Sequence, residues 1–107
     1  MRITTHNKLV RDLIPEQIES DGNIPHTRIL SNQEFTAELI KKMHEEIDEY
    51  NTSKSAEELA DIWEVFLALI QNAGVSYNEL ESIRIQKKEK NGGFERKLFL
   101  SIVERQD

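Results

Sequence analysis

Glu46 and Glu49 form one pair of acids, and Glu58 and Asp61 form a second pair shortly after it. Each pair is spaced i, i+3, which on a helix projects both acids from one face. Apolar residues share those faces. Phe35, Leu39, Ile40, Met43, Ile47 and Tyr50 make a stripe around the first pair, and the second lies among Leu59, Ile62, Trp63, Val65, Phe66, Leu67, Leu69 and Ile70. At about 100° per residue, Glu46 falls within the first stripe, near its Phe35–Leu39 edge, and Glu49 lies just beside it. Glu58 falls between the Val65 and Leu69 directions, and Asp61 is on the border. Acids facing acids on a buried wall are costly unless a cation neutralises them. An all-oxygen ligand set suits Mg²⁺ or Mn²⁺, whereas zinc prefers imidazole or thiolate. A divalent-metal site, with the phosphate chemistry that usually accompanies one, is therefore the first expectation. Its competitor is solvated helix charge, since acids near helix N-termini also complement the macrodipole. His6, His26 and His44 have no ligand spacing with these acids and read as surface residues.

The elements that must carry the acids are well punctuated. Ser31-x-x-Glu34, Ser55-x-x-Glu58 and Ser76-x-x-Glu79 have the pattern of capping boxes, in which a Ser N-cap and a Glu three residues later satisfy each other's backbone N–H. They predict helices at about 32–52, 56–73 and 77–91, the second ended by Gly74 and the third by Gly92-Gly93. A shorter helix is expected over Asp12–Glu19, with Pro15 near its first turn and a stop at Asp21-Gly22. Ile24–Leu30 and Phe94–Val103 are candidate strands. The short connection Asn51–Ser55 makes the helices on either side antiparallel neighbours, which brings the Glu46/Glu49 end of one to the Glu58/Asp61 start of the next. The expected fold is mainly α: an antiparallel helical bundle in one domain over residues 1–107, with a candidate two-stranded β element built from the N- and C-terminal segments. The apolar surface of the 56–73 helix is too broad for one neighbour, so a homodimer or higher homo-oligomer is expected.

Composition narrows the remaining classes. With 107 residues the chain can build a modest core, and 37% apolar with 32% charged residues is globular rather than disordered. A formal charge of −6 argues against stable nucleic-acid binding. The absence of Cys excludes disulfides, thiolate metal sites and a Cys nucleophile. No stretch reaches the roughly 18 apolar residues of a membrane span, and the first residues lack the apolar core of a signal peptide. A soluble, cytoplasmic protein is the expectation.

The order Glu-Glu-x-x-Glu at 45–49 followed by Glu-x-x-Asp at 58–61 resembles the metal-binding signature of the all-α nucleoside triphosphate pyrophosphohydrolases, the superfamily of MazG, the phosphoribosyl-ATP pyrophosphohydrolases and the dimeric dUTPases. The opening Asn7-Lys8-Leu9-Val10-Arg11-Asp12-x-Ile14-Pro15-Glu16 and the tail Lys87-x-x-Lys90-x-Gly92-Gly93-Phe94 resemble the small MazG-like members, so the likeness covers about residues 7–100. The resemblance implies that Glu46, Glu49, Glu58 and Asp61 hold Mg²⁺. It implies that Glu45, the first acid of the motif, or Glu49 assists removal of a proton from the attacking water. It also implies that Lys87 and Lys90 contact substrate phosphates. Lys8 and Arg11 are a second group with the charge to do so. The implied reaction is hydrolysis of a nucleoside triphosphate, or a related nucleotide, between the α and β phosphates to a nucleoside monophosphate and pyrophosphate. One departure stands out: only residues 50–57 separate the two acid pairs, fewer than in typical members. The alternative is a non-catalytic helical module that binds a nucleotide or a partner protein through the same acidic surface.

Overall fold

In the computed structural model, which describes residues 2–106, the elements are α1 (Ile14–Ser20), α2 (Asn32–Ser53), α3 (Ala56–Ala73) and α4 (Tyr77–Asn91). The protein is mainly helical. It forms two compact units, one ending at Gly74 and the other beginning at Val75.

In the first unit, α1 starts from a turn in which the Ile14 N–H donates to the Arg11 carbonyl at 3.1 Å. Pro15 sits in its first turn, where a missing N–H costs nothing. At the start of α2 the capping box is complete: the Ser31 hydroxyl accepts from the Glu34 N–H and the Ser31 N–H donates to Glu34 Oε1, each at 3.2 Å. Arg28 adds a two-pronged grip on the same carboxylate, at 2.9 and 3.3 Å. The other end of α2 stops at Lys54, which adopts the left-handed conformation (φ 57°) usually left to glycine. Its ammonium turns back to donate to the Asn51 carbonyl at 2.8 Å and lies 5.6 Å from the Tyr50 ring centroid, so a cation satisfies a helix end that carries negative partial charge.

Only Lys54 and Ser55 separate α2 from α3, and the two helices make the most extensive helix–helix contact among the described residues. They run antiparallel. Asn72, near the end of α3, donates to the Thr36 hydroxyl near the start of α2 at 2.5 Å, while the acid pairs meet at the opposite, hinge end. The apolar core is small: Leu39, Val65 and Ile70 are the buried apolar residues among those described. The covered line on α2 runs through Leu39 and Glu46, and Ile40 and Ile47 remain 48% and 47% exposed. Glu46 therefore lies at the centre of the packed face rather than towards its edge.

In the second unit, α4 is started by Ser76, whose hydroxyl accepts from the Glu79 N–H at 3.1 Å. It is stopped at Gly92, whose N–H donates to the Lys88 carbonyl at 2.7 Å with φ 85°. Arg84 pairs with Glu81 one turn earlier. The candidate two-stranded element does not form among the described residues: Ile24–Leu30 and Phe94–Val103 both run as irregular chain. Ile29, Phe94 and Phe99 are almost wholly exposed, and an isolated two-stranded ribbon with no covered face is at best marginally stable. No helix is long and apolar enough to cross a membrane.

Candidate metal centre

The hinge end of the α2–α3 hairpin gathers four acids. Glu46 and Glu49 reach in from α2, Glu58 and Asp61 from the first turns of α3, and one carboxylate oxygen from each lies within 4.8 Å of the other three. The sequence places them there by simple means. The i, i+3 spacing aims each pair off one face, and a hinge of two residues holds the two faces together. Glu58 is free for this because the capping box expected at Ser55 does not form. Ser55 makes no side-chain cap bond, and its hydroxyl instead accepts from that of Ser53 at 3.3 Å.

Burial is graded across the group. Glu46 is 5% exposed, Glu58 and Asp61 are half-buried, and Glu49 is open to solvent. Glu46 Oε1 receives the Lys42 ammonium at 3.4 Å, but Oε2 is buried without a hydrogen-bond partner. Burial pushes the Glu46 carboxyl above the ordinary carboxylate range, the neighbouring Glu49 adds to the rise, and Lys42 opposes it. A buried carboxylate oxygen with no donor is a costly feature. Together with an all-oxygen donor set, it fits a hard divalent cation such as Mg²⁺ or Mn²⁺.

Basic side chains ring the acids. Lys42 also lies 3.6 Å from Glu45 and is itself well covered. From the segment ahead of α1, Lys8 reaches Glu45 at 3.6 Å and Arg11 donates to Asp61 at 2.7 Å. Beside the acids an open groove of about 430 Å³ is lined by Glu45, Asp48, Glu49, Thr52, Ser53 and Glu58.

Of the residues singled out by sequence, Glu45, Glu46, Glu49, Glu58, Asp61, Lys8 and Arg11 therefore converge at one end of the first unit. Lys87 and Lys90 lie on α4 in the second unit, on its exposed surface. Lys42 escaped the sequence reading, although its i, i+3 and i, i+4 relations to Glu45 and Glu46 were visible. Trp63 is 62% exposed and lines a second shallow groove with Arg11, Ala60, Glu64 and Leu67. His6, His26 and His44 are exposed. No protein-family model, curated protein or solved structure matches the chain.

Proposed function

We propose that the protein is a divalent-metal-dependent nucleotide pyrophosphohydrolase, cleaving a nucleoside triphosphate between its α and β phosphates. The observation that carries the reading is the orphaned buried oxygen of Glu46 within a set of four converging carboxylates. Solvated helix charge does not account for it, because a side chain free to choose would turn to water. Glu46, Glu49, Glu58 and Asp61 would hold Mg²⁺, or Mn²⁺ in its place. When bound, the ion neutralises phosphate charge and polarises the attacked phosphorus.

The chain's own residues would do the rest. Water adds to the α phosphorus, the bond to the bridging oxygen breaks, and pyrophosphate leaves. Glu45 or Glu49, both on the groove wall, accepts the proton of the attacking water. Lys8 and Arg11 offer positive charge to the phosphates, and Lys87 and Lys90 are assigned the same task on the strength of the motif resemblance.

A second copy of the chain belongs to this reading. Leu59, Trp63 and Phe66 follow the 4,3 spacing of a helix-packing seam and are all substantially exposed. Two hairpins meeting on this seam would make an antiparallel four-helix bundle and enlarge a core that has three buried apolar residues among those described. Trp63 is the only tryptophan, so its emission should shift to the blue as protein concentration rises through the dimerisation range. A monomer in sedimentation at micromolar concentration contradicts the seam.

The test of activity is a panel of nucleoside triphosphates with Mg²⁺ or Mn²⁺, reading pyrophosphate release. Release should be lost in Glu46→Gln and Asp61→Asn while helicity is kept. Wild-type turnover in both variants removes the ligand assignment. Saturable nucleotide binding with no pyrophosphate release assigns the non-catalytic module instead.

A further inference from the structure

The segment ahead of α1 lays two cations on the acid cluster from outside the hairpin. Lys8 reaches Glu45 on α2, and Arg11 reaches Asp61 on α3. The two contacts differ in kind. The Arg11 guanidinium donates a short bond, 2.7 Å, to one of the four proposed ligands, whereas Lys8 sits 3.6 Å from an acid outside that set. Arg11 is also fixed locally, because its carbonyl accepts from the Ile14 N–H at the head of α1. Its side chain remains more than half exposed, so it can swing without disturbing the core.

We infer that Arg11 is an exchangeable latch on the metal site: it neutralises Asp61 while no divalent ion is held, leaves Asp61 when the ion arrives, and turns its freed guanidinium to the phosphates of the nucleotide. This rests on the metal-site reading above. The physical ground is competition. The guanidinium that donates to Asp61 Oδ1 at 2.7 Å and an incoming cation draw on the charge of one carboxylate and repel each other, so each weakens the other's hold. The displaced fork is matched in charge and geometry to phosphate oxygens. The latch keeps four like charges from facing one another unneutralised in the ion-free protein, and it couples arrival of the ion to readiness for an anionic substrate.

The competition has an unusual signature: opposite effects of one substitution on the two ligands. Arg11→Gln should bind Mg²⁺ alone more tightly than the wild type, by up to about fivefold for loss of an exposed ion pair, while KM for a nucleoside triphosphate rises. Lys8→Gln is the control. If Arg11 acted only as one more positive charge nearby, the two substitutions would tighten Mg²⁺ binding alike; a latch predicts a clear effect for Arg11 and little for Lys8. Calorimetry with Mg²⁺ alone measures the first ligand and steady-state kinetics the second. The Arg11 Nη–H resonances report the exchange directly and should lose their protection as Mg²⁺ saturates the wild type. Equal Mg²⁺ affinity in wild type and Arg11→Gln, or weaker affinity in the variant, overturns the latch and leaves the metal site standing. No Mg²⁺ binding in either protein overturns the metal site and the latch with it.

Discussion

Glu34 and Glu46 lie on the same helix about three turns apart, and their surroundings are opposite. Glu34 is exposed and fully engaged: it accepts from the Ser31 backbone, from the Ser31 hydroxyl and from both arms of Arg28. Those bonds hold its carboxyl down, from an ordinary 4.5 to about 2. Glu46 is buried, touches only one ammonium, keeps one oxygen without a partner and sits beside another acid, all of which favour its neutral form except the ammonium. The contrast separates an acid that starts a helix from an acid that the fold keeps at a cost. On the proposed function, that cost is kept because Glu46 serves a ligand at the hinge between the two helices.

The sharpest way to break the comparison is to neutralise Glu46. Glu46→Gln should lower turnover by about 100-fold or more, since even residues that only orient metal ligands cost up to about 100-fold. The same change removes a buried, half-partnered charge, so the variant should melt higher, by about 1 kcal/mol of stability. Loss of both activity and stability would mean that Glu46 holds the hairpin together. Addition of Mg²⁺ gives the next largest effect. At a hundred times its dissociation constant the ion should stabilise the wild type by about 2.7 kcal/mol, read as a rise in melting temperature that is absent in Asp61→Asn. The opposite end of α2 should behave in the opposite way. Ser31→Ala removes the N-cap and should cost about 1 kcal/mol with turnover unchanged, checked by denaturant melts and the pyrophosphate assay.

Much of this geometry could be read from the residues in order. The ends of α2, α3 and α4 follow from Ser31, Ser55 and Ser76 at one side and Gly74 and Gly92 at the other, because cap positions have local requirements. The convergence of Glu46, Glu49, Glu58 and Asp61 follows from i, i+3 spacing and a short hinge. Features decided by competing partners, near or far, were not legible. Ser55 has the capping-box spacing, yet its hydroxyl is taken by Ser53, and Glu58 joins the acids. The apolar stripe of α2 suggested that Ile40 and Ile47 face inward. The packed line instead passes through Leu39 and Glu46, because the azimuth at which α3 docks is set by the fit of both helices. The pairing of Arg11 with Asp61, fifty residues apart, had no local signature at all.

The smallest effect sharpens the comparison most directly, because it measures the two carboxylates in one experiment. In the metal-free protein, a carbon-detected NMR titration should place Glu34 near 2 and Glu46 above the ordinary 4.5, so that the two bracket it. The consequences for stability have opposite signs. The depressed Glu34 contributes stability that is fully present above 4.5 and is lost as pH falls from there towards 2, when protonation releases Arg28 and the Ser31 N–H. The raised Glu46 does the reverse: its burial is less unfavourable once it carries a proton, so acidification relieves that end of the helix first. Amide exchange should therefore show the first turn of α2 loosening below about 4 while the hinge end stays protected. Arg28→Gln should move the Glu34 midpoint up towards 4.5 and leave Glu46 where it was. If both midpoints fell on the same side of 4.5, the two acids would share one kind of environment, and the case for a ligand at Glu46 would lose its physical basis.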